Sequence, residues 1–176
     1  AVSGEHRPVL RRPGGLALPP SYEYILWDEL AFARAARSPL ATIVARTLLR
    51  AGSAAQQARW LPPIRAGQAH FALGYSEPEA GSDLAGLRTR ASLRGDVYVV
   101  NGDKCWQSYA GHVDRLWLLA RTGEPGSRGE GLSLFIVDLA SPGLRVTPLP
   151  TLDGDALYAC RFEDVEVPVE RRVGPE

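Results

Sequence analysis

The sequence predicts an α+β chain: a partial N-terminal helical bundle, followed by a β-barrel-like domain of two packed sheets. Two observations lead there. Apolar residues recur at helical spacing only within the first 69 positions. From His70 onward, short β-rich runs alternate with Gly, Pro and Asn turns. Helices and strands segregated along the chain indicate α+β rather than α/β. The division is expected at 1–69 for the helical part and 70–176 for the β domain.

The elements follow in order. Residues 1–20 are rich in Pro, Gly and Arg and show no period. Ser21 is expected to cap a first helix with Glu23 in its opening turn. Tyr22, Ile25, Leu26, Leu30 and Ala33 then form one apolar face that reaches about Ala36. Ser38 as N-cap and Pro39 at the first helical position open a second helix. Leu40, Ile43, Val44, Thr47, Leu48 and Ala51 line its face, and Gly52 closes it. Ser53 with Gln56 makes a capping box for a third helix, expected to stop at Leu61 because Pro62 and Pro63 lack N–H donors. The strand candidates are HFALGY, LRTRASLRG, VYVVNGDKCWQS, RLWLLART, LSLFIVDL, LRVTPLP and LYACRFEDVEVP. Asn101-Gly102 is the strongest hairpin signal among them, and Ser141-Pro142-Gly143 marks another turn.

At 176 residues the chain has the size of one domain, or one plus part of another. Twenty basic residues balance twenty acidic ones, which excludes a bulk electrostatic grip on nucleic acid or anionic membranes. There is no run of 18 apolar residues to span a bilayer, and the basic start lacks the apolar core of a signal peptide. Cys105 and Cys160 make neither a disulfide framework nor a metal site of recognisable spacing. A cytoplasmic, reduced setting is expected. Lys104 is the one lysine among the basic residues. Together with abundant Ala and Gly this reads as biased coding, and Lys104 is expected to carry no function by itself.

The densest chemical signal is Gly74-Tyr75-Ser76-Glu77-Pro78-Glu79-Ala80-Gly81-Ser82-Asp83. Gly81-Ser82 lets backbone N–H groups approach a ligand, and such a loop can form an anion-binding nest. It can equally be an ordinary loop in which Ser82 or Asp83 caps a short segment to Leu87. The second signal is Lys104-Cys105-Trp106-Gln107-Ser108. On a regular strand Trp106 and Ser108 face the same side, where an indole and a hydroxyl could wall a planar ring. A core tryptophan beside a surface serine fits the same spacing.

Taken together in this order, these motifs resemble the acyl-CoA dehydrogenase family of flavoproteins, from about Pro19 through Gly174. The resemblance runs through Gly52-Ser53, Gln57, Arg59, Leu61-Pro62 and Gly67, then Ser76-Glu77-Pro78-Glu79-Ala80-Gly81-Ser82-Asp83. It continues through Asn101-Gly102, Lys104, Trp106-Gln107-Ser108, Gly131-Leu132-Ser133, Val137-Asp138, Ser141-Pro142-Gly143 and Phe162-Glu163-Asp164-Val165-Glu166-Val167-Pro168.

The resemblance implies FAD as cofactor and an acyl-CoA thioester as substrate. Tyr75 and Ser76 would lie along the flavin ring. Gly81 and Ser82 would contact its diphosphate, with Ser82 also near the pantetheine arm of the substrate. Trp106 would pack on the isoalloxazine, and Ser108 would donate toward its N5 region. Tyr75 stands where an aliphatic residue is common, and Ser76 and Ser108 stand where threonines are usual. Gln107 and Tyr109 depart more freely and leave the acyl preference open.

The family's catalytic glutamate lies in a C-terminal helical domain that would begin near Arg172-Val173-Gly174. This chain is therefore expected to be a truncated chain or short subunit without catalytic residues of its own. Glu163, Asp164 and Glu166 sit in a strand-end motif that reads as structural. The expected partners are a homo- or hetero-oligomeric chain supplying the missing domain and an electron-transfer flavoprotein. Neither a metal, a nucleic acid nor a membrane is expected. The alternatives are a non-catalytic partner of a full-length enzyme, or a flavin monooxygenase or nitroalkane oxidase of the same fold.

Overall fold

A computed structural model describes residues 18–33, 39–124, 126–152, 154 and 156–174. Two compact units make up the chain, 1–37 and 38–176. Among the described residues no helix is long and apolar enough to cross a membrane.

The first unit contributes helix α1, Pro20–Phe32. Its start lies two residues before the expected one. Pro19 is the N-cap and makes no side-chain cap bond, so Ser21 falls inside the first turn. Proline tolerates this place because its missing N–H would have no helical partner there. The expected apolar face is not buried: Tyr22, Ile25 and Leu26 are all exposed. The stretch 34–36 and the Ser38 cap lie outside the described residues.

In the second unit, α2 spans Pro39–Ala51 and α3 spans Ala54–Arg65. Within the predicted face of α2, Val44 and Leu48 are fully buried. The capping box of α3 forms as predicted. Gln56 N–H donates to Ser53 Oγ at 3.2 Å, and Ser53 N–H donates to Gln56 Oε1 at 3.0 Å. The expected stop at Leu61 is wrong, since Pro62 and Pro63 lie inside the helix. Proline forfeits its own donor but keeps a helical φ and a carbonyl. Those carbonyls are used: Ala66 N–H donates to Pro62 O, and Gln68 N–H to Pro63 O.

Eight strands follow: β1 Phe71–Gly74, β2 Arg90–Arg94, β3 Val97–Ser108, β4 Arg115–Arg121, β5 Leu132–Asp138, β6 Leu144–Leu149, β7 Leu157–Pro168 and β8 Arg172–Val173. Their order is β6-β7-β3-β2-β4-β5-β8, with β1 parallel to β4. The halves β6-β7-β3-β2 and β4-β5-β8 join through a single paired position, Arg90 opposite Arg121. They fold face to face on a core that includes Val100, Leu116, Leu118, Phe135, Val137 and Phe162. Tyr98 of β3 meets Phe135 of β5 edge-on at 4.9 Å, although those strands are not neighbours in the sheet.

The other face of β1, β4 and β5 is also covered. Phe71, Trp117 and Ile136 pack with Val44, Leu48 and Trp60 of the helices. Burial on both faces is why RLWLLAR and LSLFIVD read as nearly unbroken apolar runs.

Asn101-Gly102 is not a hairpin. The β2–β3 turn is Gly95-Asp96, with Arg94 opposite Val97 and Gly95 at φ 64°. Asn101-Gly102 sits inside β3, at a register shift against β7. Asn101 exchanges two bonds of 2.9 Å with Asp164 there. Gly102, at φ 139°, runs so close to β2's approach that an added Cβ would meet Thr89 Cα at 2.7 Å. The dipeptide serves a bulge and a close crossing. Ser141-Pro142-Gly143 is a turn as predicted, linking β5 to β6, with Gly143 at φ 83°.

Candidate functional site

The site is assembled where the segment after β1 lies against β3. Tyr75, Ser76 and Glu77 leave β1 and enter a tight turn in which Glu77 N–H donates to Ala80 O at 2.9 Å. Cys105 N–H donates to Ser76 O at 3.0 Å, joining the segment to β3. Lys104, fully buried, places its Nζ 2.8 Å from Glu77 Oε1 and 2.9 Å from Tyr75 O. The Glu77 carboxylate accepts two further bonds, from Arg88 N–H at 2.6 Å and Thr89 N–H at 2.8 Å. The composition of the chain gave no role to its one lysine, yet this residue is the centre of a buried hydrogen-bond network.

Beyond Lys104 the strand is irregular. Its register against β7 shifts between Lys104 and Gln107, and Trp106 adopts φ 66°. A left-handed backbone at a bulky residue costs about 1–2 kcal/mol, and here it turns the indole outward. Trp106 is 60% exposed, whereas Cys105 and Gln107 on either side are buried. The expected alternation of a regular strand is therefore replaced by a bulge.

Trp106, Ser108, Tyr75 and Ser76 nevertheless line one cavity of about 200 Å³, together with Gln107, Leu73 and Leu40 of α2. Among the described residues neither the Ser76 nor the Ser108 hydroxyl has a hydrogen-bond partner. Gln107 donates to Cys105 O, and its Oε1 is buried without a partner. Among the described residues no carboxylate lines the cavity.

Gly81 and Ser82 are not brought into that cavity. Both are exposed, and a Cβ at Gly81 would meet nothing within 4 Å. The capping alternative for this loop does not hold for Asp83, whose side chain makes no cap bond to the short turn Leu84–Gly86. Asp83 pairs instead with Arg128 at 2.8 Å.

A larger hollow of about 250 Å³ lies elsewhere, lined by the α3 capping box and by Arg59, Trp60 and Arg171. It contains none of the predicted site residues. Arg59 and Arg171 each lie 5.2 Å from the Trp60 ring centre, and Arg171 also pairs with Asp138 at 3.5 Å.

Electrostatics separate inert from responsive groups. Burial pushes the Cys160 thiol up to about 12, and it also raises the Cys105 thiol. Neither is a thiolate at neutral pH. Burial raises the Tyr75 phenol, so Tyr75 is a neutral hydroxyl.

Burial lowers Lys104, against the pull of Glu77. At Glu77 burial favours the acid, but the Lys104, Thr89 and Arg88 donors outweigh it and hold the carboxyl below its ordinary 4.5. A carboxyl depressed on folding contributes stability above its unfolded value and loses it as pH falls through the folded one. Thermal melting followed from pH 7 to pH 3 should therefore show a drop below about 4.5 that is smaller in Glu77→Gln. Equal acid losses in both proteins would mean that Glu77 is not the group responsible.

The sequence singled out the lining residues Tyr75, Ser76, Trp106 and Ser108 but missed what supports them, Lys104 and Gln107, and the apolar wall of Leu40 and Leu73. The lone lysine was the available signal. In a chain that otherwise uses arginine, a lysine marks a place where a planar guanidinium does not fit.

A family model described as "Acyl-CoA dehydrogenase, middle domain" matches residues 72–165. Acyl-CoA dehydrogenase FadE29 of Mycobacterium tuberculosis is 43% identical over 168 residues, covering 93% of this chain and 43% of that protein. Among solved structures, the ChsE4-ChsE5 complex from Mycobacterium tuberculosis superposes with a TM-score of 0.86 at 43% identity, over 93% of this chain and 42% of the matched one. The Tcur3481-Tcur3483 steroid ACAD gives 0.87 at 37% identity, over 92% and 42%. The chain thus spans less than half the length of these relatives.

Proposed function

Because this chain belongs to the acyl-CoA dehydrogenase family, we propose that it forms the flavin-facing part of an enzyme that removes hydrogen from the α and β carbons of an acyl-CoA thioester. Residues 70–176 are read as the flavin-contacting middle domain, and 1–69 as part of an N-terminal helical domain. The observation that carries the reading is the single cavity joining the outward indole of Trp106 to the hydroxyls of Ser76 and Ser108.

The residues present fit a flavin. An exposed indole held out by a strained backbone offers a flat face for an aromatic ring system. Two hydroxyls without partners among the described residues offer donors at a ring edge, and Leu40 and Leu73 keep one wall apolar. FAD, when bound, supplies the hydride acceptor. Trp106 would cover one face of its ring, and Ser108 would donate near the position that receives hydride. Ser76 and Tyr75 would lie along its pyrimidine side. The open space at Gly81 and the exposed Ser82 suit a diphosphate, and Ser82 would also lie near the pantetheine arm. These residues would orient the ring and exclude water; none would remove the α-proton, because among the described residues no carboxylate lines the cavity. The base, and a share of the grip on FAD, would come from a C-terminal helical domain. An electron-transfer flavoprotein would be the electron acceptor.

Titrating FAD and following its fluorescence tests the reading. Binding to the 176-residue chain is expected to be weak. Trp106→Ala should weaken it by about tenfold, the equivalent of about 1.4 kcal/mol, within the range of aromatic pair energies. Leu93→Ala, on the exposed surface of β2, should leave it unchanged. Equal effects of the two would remove Trp106 from the flavin face.

A second reading is favoured by the names of the matched structures, ChsE4-ChsE5 and Tcur3481-Tcur3483, each of which has two components. In it this chain is the non-catalytic member of a heteromeric dehydrogenase, and a partner chain supplies the base. Size-exclusion of the two chains together, with flavin absorbance read across the complex peak, separates the readings. The similarity to a steroid ACAD makes a bulky acyl group the first substrate class to test.

A further inference from the structure

We propose that Lys104 and Glu77 are positioning residues for the flavin-facing wall: their buried pair clamps the Tyr75–Glu77 backbone against β3, and so holds Tyr75 and Ser76 at the cavity. This deepens the flavin reading and rests on it for what the wall faces. The clamp itself stands on the network alone.

Lys104 Nζ bonds to Tyr75 O on one side and to Glu77 Oε1 on the other, at 2.9 and 2.8 Å, so one ammonium grips the residues flanking Ser76. Ser76 O is held by Cys105 N–H at 3.0 Å, and Gln107 Nε2 stands 3.5 Å from it. Glu77 is fixed in turn by the Arg88 and Thr89 amides. Neither Lys104 nor Glu77 lines the cavity. They act only through the backbone they hold.

The chemistry argues for geometry over plain stability. A buried ion pair is often no better for stability than an apolar pair of the same volume, whereas an ammonium between two acceptors sets the position of both. A lysine is suited to this, since it is a compact charge with three donors on a flexible stem, while the planar fork of arginine needs acceptors in one plane. Lys104 is also next to the bulge that turns Trp106 outward. The same strand segment therefore positions both walls of the cavity.

The test compares wild type, Lys104→Met and the charge-free double variant Glu77→Gln/Lys104→Met. Three readouts are taken: thermal melting, amide hydrogen exchange and FAD affinity by fluorescence titration. Lys104→Met leaves a buried carboxylate unpaired, and its melting temperature should fall by about 6–20 °C. The double variant should recover most of that loss. In the recovered protein the Cys105 amide should still exchange at least about tenfold faster than in wild type, with the Leu116–Leu118 amides unchanged. The Kd for FAD should stay raised by about tenfold, one factor of ten in affinity.

If Cys105 protection and FAD affinity return together with the melting temperature, the pair is structural only and the proposal is overturned. Failure of the double variant to fold overturns it as well, because the pair would then belong to the fold. If wild type shows no measurable FAD affinity, the flavin reading fails while hydrogen exchange still decides the clamp.

Discussion

The 176-residue chain, supplied with excess FAD, a panel of acyl-CoA thioesters and an artificial electron acceptor, is expected to turn over far below about 1 s⁻¹, the low end of ordinary enzyme rates. The α-proton must leave as hydride departs, and a positioned general base contributes about 10²–10⁴-fold to such a step. Among the described residues no carboxylate lines the cavity that holds Trp106, Ser76 and Ser108. Glu77 is buried and already accepts three hydrogen bonds, from Lys104, Arg88 and Thr89. Asp83 pairs with Arg128, and Glu163 with Arg161, both at the surface. Glu79 is exposed on the turn after Ser76. Turnover at an ordinary rate without an added chain would place a base in these residues, and Glu77, Glu79, Asp83 and Glu163 would then be replaced singly to find it. Restored turnover on adding a chain with a C-terminal helical domain is the expected counterpart.

Trp117→Ala should carry the largest stability cost of any single substitution in the helix-facing core, about 3–5 kcal/mol. Trp117 is fully buried on β4, among Phe71, Ile136, Val44, Leu48 and Trp60. Its removal opens a cavity at the layer where α2 and α3 meet the sheet. For a chain of this length each kcal/mol shifts the melting temperature by about 2–4 °C, so a fall of about 6–20 °C is expected in thermal denaturation. Leu93→Ala, exposed on β2, should stay within about 0.5 kcal/mol of wild type. A Trp117→Ala protein that melts with the Leu93→Ala control would mean that the helices contribute little to this unit.

Much of the fold was legible because strands carry their own punctuation. The seven β-rich runs read from the sequence contain β1 to β7 to within a few residues at each end. The capping box at Ser53 was legible for the same reason: it is built from residues three apart. Two local signals misled. Pro62-Pro63 reads as a stop, yet a proline removes only its own donor, and the helix continues where its carbonyls find partners. Asn101-Gly102 reads as a hairpin, but its glycine answers a different demand, the close passage of Thr89.

By itself the sequence determined the segregation of helices from strands, seven of the eight strands described, the family, and four residues that share a cavity. Each of these is written in short-range pattern or in motifs of fixed spacing. Only the tertiary structure decided which strands face each other, that α2 and α3 cover the second face of the sheet, and that Trp106 turns outward at a bulge. It alone revealed Lys104 as the clamp on Glu77 and Tyr75 O, residues 27 and 29 positions away. The physical reason is distance along the chain. Periodicity and capping are interactions between near neighbours, whereas the burial of one lysine depends on partners that only the folded sheet brings to it.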